Sequence, residues 1–306
     1  MKIIHLSYSD LIGGADRAAY RIHLSLLKEG IYSRMWVNQT LAGDDTVEGP
    51  NNKLEILSNK LRLFISHHVL NRFFNTKKNT LNSYSILKSK LVKKINNSDA
   101  DIVHLHWIQN EMLSIKDISQ IKKPIIWTFH DMWPFCGAEH YTDNHRWREG
   151  YHISNKPKNE SKLDLNLWTW KRKKKYWNSP IQIITPSKWL ANCARISSLM
   201  YNWPVSRIAY PINTDFWRPV DRKISRDKLN LSHKPFLILF GGDINDPRKG
   251  FDLLIKVLKN KKLYLNAEKI ELVIFGCNDQ KLFSDLGFTI HYTSHIKDSL
   301  TLKALY

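Results

Sequence analysis

The sequence predicts an α/β protein built on parallel β-sheets with helices on both faces of each sheet. Short apolar runs alternate with longer helical patterns along the chain, as in successive βαβ units. Runs such as residues 181–184 are largely apolar without alternation, which is typical of strands buried on both sides. Two of the runs end in a glycine pair, which is followed at once by a helical pattern in the first case and after a short loop in the second.

Eight runs are predicted as strands, near residues 2–7, 32–37, 102–106, 124–129, 181–185, 236–240, 270–275 and 288–291. A helix should follow the first strand, because apolar residues from Ala18 to Leu27 have helical spacing and Gly30 stands where a C-terminal cap is expected. Residues 210–219 carry prolines and aromatic residues without a period. We therefore expect a first domain over residues 1–212, a linker over 213–233 and a second domain over 234–306.

Composition limits the classes of protein to consider. The chain has 306 residues, of which 42% are hydrophobic, so two domains with real cores are expected. Its net charge of +19 points to polyanionic partners such as nucleic acid, anionic lipid or phosphorylated substrates. Cys136, Cys193 and Cys277 are too few and too far apart for a disulfide framework or a zinc site, which favours reduced thiols and an intracellular location. No stretch approaches the roughly 18 apolar residues of a membrane span, and the first run is too short for a signal peptide.

The first glycine pair, Gly13–Gly14, lies between the first strand and the first helix. A glycine turn at a helix N-terminus leaves backbone N–H groups free, and the helix dipole adds about half a positive charge there. Such a turn is suited to holding a phosphate or diphosphate. The pattern is not Gly-x-Gly-x-x-Gly, so a plain strand–helix turn remains open at this point.

Histidines follow two of the predicted strands. His104 and His106 close one strand, and His130 with Asp131 closes the next. Ligands of open parallel sheets bind outside the carboxyl ends of the strands, so these side chains should share one edge with the glycine pair if the strands are neighbours. A single histidine is more often a hydrogen-bonded structural residue than a catalyst.

The second glycine pair, Gly241–Gly242, ends a strand of the second domain, and Arg248 and Lys249 stand just before the helix that follows. Two cations beside free N–H groups suit a diphosphate leaving group. Two surface basic residues are the alternative.

Two basic segments are candidates for contact with an anionic membrane. Residues 53–95 thread apolar residues such as Leu57 and Leu61 among lysines and arginines, and Trp168–Trp177 does so with aromatic residues. Ordinary helices with one buried face are the alternative for both segments.

Four motifs occur in a fixed order, namely Gly13–Asp16, Asp101–His106, Thr128–Trp133 and Lys249–Leu254. Together they resemble the retaining, nucleotide-sugar-dependent glycosyltransferases of family four. The run from His130 to Phe135, with residues 137–141 after it, resembles the branch that builds bacterial capsule, colanic-acid-type exopolysaccharide and O-antigen. The resemblance covers nearly the whole chain. It implies a GT-B-like fold, in which two Rossmann-like parallel-sheet domains face a cleft.

The resemblance implies transfer of a hexose from a nucleotide diphosphate sugar to a lipid-linked or oligosaccharide acceptor, with retention at the anomeric carbon. Gly13 and Gly14 would contact the donor diphosphate or the acceptor, and His130 would contact the transferred sugar. Lys249, helped by Arg248, would stabilise the departing diphosphate. No metal or other cofactor is expected, because these cations and the helix dipole replace it and the leaving phosphate takes the acceptor's proton.

The same resemblance makes Arg17, Glu139 and His140 the expected acceptor contacts. It also implies a cytoplasmic enzyme held peripherally at the inner face of the cell membrane, acting in surface polysaccharide biosynthesis.

The chain departs from the family pattern in three places. Asp243 follows Gly242 where many relatives carry an arginine, and Tyr210–Pro211 replaces the usual Pro-Asn at the domain junction. The sequence stops at Tyr306, before the family's Glu-x7-Glu motif. We therefore expect an incomplete second domain, weak donor binding and little or no turnover from the chain as given.

Two other classes of function stay open. His104, His106, His130 and Asp131 imitate a ligand set for a divalent ion, as in a metal-dependent hydrolase, although no later strand end clearly completes the shell. The charge and the aromatic basic stretch could also bind nucleic acid. No helix-turn-helix, zinc-finger or RNA-recognition motif supports that function, so no nucleic-acid partner is expected.

Overall fold

The chain forms two compact units, residues 1–212 (unit 1) and residues 213–306 (unit 2). The computed structural model describes residues 1–66, 81–158, 163–244, 246–260, 270–276, 286–293, 296 and 298–306. The linker expected over residues 213–233 carries a helix and falls within unit 2.

Unit 1 is built on a seven-stranded sheet in the order β3-β2-β1-β4-β5-β6-β7, in which every neighbouring pair is parallel. The strands are β1 (Lys2–Ser9), β2 (Tyr32–Gln39), β3 (Val47–Glu48), β4 (Ile102–Leu105), β5 (Ile125–Thr128), β6 (Gln182–Thr185) and β7 (Val205–Arg207). The chain direction across the sheet reverses between β1 and β4, which makes their carboxyl ends the switch point of the sheet.

Specific residues set the two ends of the helix α1 (Gly14–Lys28). Gly13 is the N-cap residue, with Asp16 in the first turn. Gly30 has φ +75°, and the N–H groups of Gly30 and Ile31 bond to Leu27 and Leu26 carbonyls, which is a Schellman ending. The predicted helix and its glycine cap are therefore confirmed.

Among the residues of unit 1 that the structure describes, the other helices are α2 (Lys53–Phe64), α3 (Leu91–Asn96), α4 (Ile115–Ile118), α5 (Arg146–Glu149), α6 (Leu165–Tyr176) and α7 (Lys188–Ile196). The two faces of the sheet differ in chemistry. One face contributes Leu6, Val103, Leu105 and Trp127 to the main apolar core. The face toward α1 carries His5 and His104, which are paired in the β1–β4 register.

Unit 2 contains a three-stranded parallel sheet in the order β10-β9-β8. Its described elements are α8 (Arg222–Lys228), β8 (Phe236–Gly241), a 3₁₀ turn (Pro247–Lys249), α9 (Phe251–Lys259), β9 (Ile270–Phe275), β10 (Thr289–Thr293) and α10 (Ser299–Leu305). Its core holds Phe251 and Leu258 of α9 against Leu272 and Ile274 of β9.

The predicted fold class and all eight predicted strands are confirmed. β3 and β7 were not predicted, since two or three residues are too short to show a strand pattern. Cys136 and Cys193 are buried free thiols, whereas Cys277 lies outside the described residues. In the part of the chain that the structure describes, no helix is both long enough and apolar enough to cross a bilayer.

Candidate functional site

The carboxyl ends of β1, β4 and β5 lie side by side in unit 1. The loops that leave these strands bring Gly13, Gly14, His106 and His130 to one edge of the sheet. The expectation that the histidines and the first glycine pair share an edge is therefore confirmed. We call this edge the unit 1 rim, formed by residues 9–14, 106–107 and 130–131.

A carboxylate occupies the first glycine turn. Asp16 Oδ2 accepts from the Gly13 N–H at 2.9 Å, and Oδ1 accepts from the Ser7 hydroxyl at 2.9 Å and the Ser9 N–H at 3.3 Å. The side chain of Asp16 is buried. The expected set of free N–H groups is thus partly wrong, because the chain's own carboxylate takes two of them.

Gly14 and Arg17 form the accessible part of that turn. Both are exposed, and a Cβ atom added at Gly14 would meet nothing within 4 Å. At Gly13 the added atom would lie 3.2 Å from Asp16 Oδ2. Gly13 therefore serves the internal hydrogen bond, whereas Gly14 leaves open space for a ligand.

Three imidazoles and a phenol form a hydrogen-bonded row from the sheet to the rim. His5 Nδ1 lies 2.9 Å from His106 Nε2, and His106 Nδ1 lies 3.2 Å from His130 Nε2. The other nitrogen of His130, Nδ1, lies 2.6 Å from the hydroxyl of Tyr210. We refer to His5, His106, His130 and Tyr210 as the imidazole row. Its geometry leaves His130 with both ring nitrogens already paired.

These rings are neutral at physiological pH. Burial lowers the pKa of His130 to about 4 and that of His104, beside the row, to about 3. Burial, reinforced by neighbouring imidazoles, also holds the pKa of His5 and of His106 well below the usual range. A ring with so low a pKa and no free nitrogen is poorly suited to act as a general base.

The metal-ligand set expected from sequence is not gathered in one place. Among the described residues, the three side chains whose ligand atoms lie close enough to share an ion are His5, His104 and His106, within 4.8 Å of one another. Asp131 is instead engaged on the other side of the rim: its Oδ2 accepts from His140 Nδ1 at 2.6 Å and from Trp107 Nε1 at 3.2 Å. The geometry thus does not support the four-residue ligand set.

Two of the expected acceptor contacts, Glu139 and His140, are buried with partners of their own. Glu139 Oε1 accepts from the Tyr151 hydroxyl at 2.5 Å, and His140 Nε2 lies 2.9 Å from the Ser83 hydroxyl. Direct contact between these side chains and an acceptor is not supported, because neither reaches the surface.

The contacts among Ser83, His140 and Asp131 have the connectivity of a serine-hydrolase triad. Ser83 is only 3% exposed, however, so a substrate does not reach its hydroxyl. Asp131 also accepts the Trp133 N–H at 2.9 Å. Burial opposes ionisation of Asp131, but the charge and hydrogen bond of His140 outweigh it and lower its pKa. The group therefore anchors the loop that leaves β5.

The basic aromatic segment, Trp168–Trp177, packs against the loop that leaves β5. The ammonium of Lys173, fully buried in α6, donates to the carbonyls of Trp133, Cys136 and Gly137. Gly137 packs so closely on α6 that an added Cβ would lie 2.5 Å from Asn166 Cα. For this segment the ordinary helix with a buried face is the better interpretation.

Unit 2 carries the second glycine turn, whose surroundings differ from those of the first. Gly241 and Gly242 end β8, Gly276 ends β9, and a Cβ on Gly276 would lie 3.4 Å from the Gly242 carbonyl oxygen. The aliphatic part of Lys249 lies over Gly242, at 3.4 Å from an added Cβ. We call Gly241–Gly242, Asp246–Gly250 and Gly276 the unit 2 rim. A Cβ atom added at Gly241 would lie 1.9 Å from the Phe275 ring, so these glycines let Phe275 and Lys249 pack against the backbone, and Lys249 is itself exposed.

The two cations expected at this turn are placed differently. Lys249 is exposed, whereas the guanidinium of Arg248 is held by Asp246 at 2.8 and 2.6 Å. Asp243 is also exposed in the same loop. Lys249 is therefore the better placed of the two, since Arg248 would have to exchange its carboxylate partner to bind an anion.

Sequence reasoning missed His5, Asp16 and Tyr210 as members of these sites. The β1–β4 register pairs His5 with His104, which a matched pattern of histidines at two strand centres could have suggested. The 80-residue separation between His130 and Tyr210 left no comparable signal.

Comparison with solved structures identifies the fold. The chain is similar to WaaG, a glycosyltransferase involved in lipopolysaccharide biosynthesis, with TM-score 0.53 and 13% identity over 98% of this chain and 72% of that one. It is similar to HepE of Anabaena in complex with UDP and glucose, with TM-score 0.55 and 14% identity over 99% and 71%. It is also similar to OtsA, with TM-score 0.54 and 11% identity over 99% and 75%. The chain therefore has a GT-B-like fold.

Neither comparison by sequence extends this result. No protein-family model matches the chain, and no curated protein matches it by sequence.

Proposed function

We propose that this protein is a retaining glycosyltransferase that moves a hexose from a nucleotide diphosphate sugar to a lipid-linked or oligosaccharide acceptor in bacterial surface polysaccharide biosynthesis. The observation that carries the proposal is the unit 2 rim, where Lys249 lies over glycines at the carboxyl ends of two parallel strands. The fold shared with WaaG and HepE supports it, since UDP and glucose are bound in the HepE structure.

In this proposal the unit 2 rim stabilises the departing diphosphate. A lysine beside glycine backbone places positive charge where negative charge grows during bond cleavage. Arg248 adds to this charge once Asp246 yields to the phosphate. No metal is required for this step.

On the acceptor side, Gly14, Arg17 and His130 are the groups that a substrate would contact. Because both nitrogens of His130 are already paired, we expect its ring to shape the sugar site by contact rather than by taking a proton. This agrees with front-face retention, in which the leaving phosphate accepts the proton of the acceptor.

Nucleotide binding provides the direct test. UDP, GDP and ADP are titrated calorimetrically against the protein and against Lys249→Ala. Loss of a charge-assisted contact should weaken binding of the accepted nucleotide by about 10- to 100-fold. Lys256→Ala is the matched control, because Lys256 is exposed on α9 away from the glycines. Equal affinities for both variants, or no nucleotide binding at all, would contradict the proposal.

Turnover of a full-length version of the chain tests the proposed catalytic residues of both rims. His130→Ala and Lys249→Ala should each lower product formation from the accepted nucleotide sugar by at least ~100-fold, the scale of one lost transition-state contact. Near-normal rates for both variants would defeat the assignment of these residues.

We also propose that α2 holds the protein at the anionic inner face of the cell membrane. Leu54, Leu57, Leu61 and Phe64 are 77%, 62%, 55% and 53% exposed on this helix, beside the exposed Lys53 and Lys60. Part of the basic segment that carries α2, residues 67–80, lies outside the described residues.

Vesicle sedimentation tests this contact. The protein should sediment with vesicles that contain anionic lipid and much less with neutral ones. Leu57→Ser/Leu61→Ser should weaken sedimentation, and the same change at an exposed leucine elsewhere, Leu41→Ser, should not. Equal sedimentation of both variants would exclude α2 as the contact.

A further inference from the structure

One end of the imidazole row is partly exposed to solvent and the other end is buried. At the rim, Tyr210 is partly exposed and its hydroxyl contacts His130 Nδ1. At the inner end, His5 Nε2 is buried and has no hydrogen-bond partner among the described residues. The two ends therefore constrain the protons of the row very differently.

A neutral imidazole has one N–H and one bare nitrogen, so each contact in the row fixes the next. A phenol is the better donor and an imidazole nitrogen the better acceptor, which favours donation from Tyr210 to His130 Nδ1 even though the resulting proton order leaves a buried N–H on His5 Nε2. His130 must then carry its proton on Nε2 and donate to His106 Nδ1. By the same logic His106 donates from Nε2 to His5 Nδ1, which leaves the proton of His5 on Nε2.

We propose that Tyr210 is a positioning residue whose hydroxyl sets the tautomer of His130 and, through it, those of His106 and His5. The row thereby holds the His130 ring in one orientation at the unit 1 rim. The relevance of that orientation to sugar transfer rests on the proposed function, whereas the tautomers themselves do not.

Tyr141 offers a matched control within the same site. Its hydroxyl donates to the backbone carbonyl of His130 at 3.2 Å, not to the ring. Tyr141→Phe and Tyr210→Phe therefore each remove a hydroxyl that contacts His130, the first at its backbone carbonyl and the second at its ring nitrogen.

The experiment is ¹⁵N–¹H NMR of the histidine side chains at neutral pH, which distinguishes protonated from bare ring nitrogens. In the unaltered protein, His5, His106 and His130 should each carry the proton on Nε2. Tyr210→Phe should change the tautomer ratio of His130 by about 10-fold, the value of one hydrogen bond of roughly 1.4 kcal/mol, and the signals of His106 should move with it. Tyr141→Phe should leave the tautomers of all three residues unchanged.

A second variant tests the direction of control. His5→Gln alters the buried end of the row, and His130 should keep its Nε2 proton because the hydroxyl at the other end is intact. A proton on Nδ1 of His130 in the unaltered protein would overturn the proposal, as would identical spectra for Tyr210→Phe and Tyr141→Phe. No substrate enters these measurements, so their failure is separate from failure of the nucleotide titration.

Discussion

The rims of the two units follow from similar sequence patterns, a strand, a glycine pair and a helix, yet they are occupied differently. In the unit 1 rim the polar groups are paired internally: Asp16 fills the glycine turn, and His130 and Asp131 each have partners. In the unit 2 rim, glycine backbone lies beside the exposed Lys249. The comparison indicates that the first edge has most of its polar groups paired within the chain, whereas the second presents an exposed lysine beside glycine backbone, as the diphosphate site proposed above requires.

The stability of an Asp131 variant is the strongest test of the internal pairing in the unit 1 rim. Asp131→Ala should lower the free energy of unfolding by about 3–5 kcal/mol, because it leaves His140, Trp107 and the Trp133 N–H without their buried acceptor. Urea denaturation followed by tryptophan fluorescence reports unit 1, since every tryptophan except Trp217 lies there.

The control for that change is Asp246→Ala in unit 2, which removes a carboxylate from the ion pair with the exposed Arg248. This loss, measured by hydrogen exchange of β8 because the tryptophan signal reports unit 1, should be about 1 kcal/mol, since Asp246 also accepts the Arg248 N–H at the start of the 3₁₀ turn. Similar losses for both variants would remove the distinction between the two rims.

Acid should destabilise unit 1 through its histidines. The pKa of His130 is about 4 and that of His104 about 3 in the folded protein, below the ordinary value of 6.5. The unfolded chain therefore binds more protons between these values, so stability is fully present above about pH 6.5 and is lost as the pH falls toward 4. We expect each of these two histidines to contribute a loss of about 2–3 kcal/mol over that range in urea denaturation series. A flat profile between pH 6.5 and 4.5 would show that the rings are not held neutral.

Glycine-to-alanine substitutions in the two rims should give the smallest changes in stability. Gly242 has φ +143°, and an alanine there meets Lys249, so Gly242→Ala should destabilise unit 2 by about 1–2 kcal/mol and weaken nucleotide binding. Gly14 faces open space, so Gly14→Ala should change stability by no more than about 0.5 kcal/mol. Hydrogen exchange of β8 and β1 measures both effects separately. A larger loss at Gly14 than at Gly242 would reverse the comparison.

Much of the fold could be predicted because it depends on local patterns. Buried apolar runs located eight strands, and Gly30 located the end of α1. Because ligand sites of open parallel sheets lie at the carboxyl ends of the strands, the strand order also predicts that His106 and His130 lie near the first glycine turn.

The occupancy of the sites could not be predicted, because it depends on partners remote in sequence. His140 and Glu139 look like surface polar residues in a loop, yet Ser83 and Tyr151 enclose them. Arg248 looks like a free cation until Asp246 is placed against it. Residue types and spacing give the position of a functional group, whereas whether it is free depends on tertiary contacts.

The buried ammonium of Lys173 has a consequence for chemistry in solution. Burial lowers its pKa to about 7, so near neutrality a large fraction of this amine is unprotonated and inherently nucleophilic. It is nevertheless sealed behind the carbonyls of Trp133, Cys136 and Gly137, out of reach of any reagent. Acylation of Lys173 by an amine-reactive label would then proceed only during moments when the loop after β5 detaches from α6. The acylation rate of Lys173, compared with the faster labelling of the solvent-facing lysines on the same helix, would therefore measure how often that opening occurs.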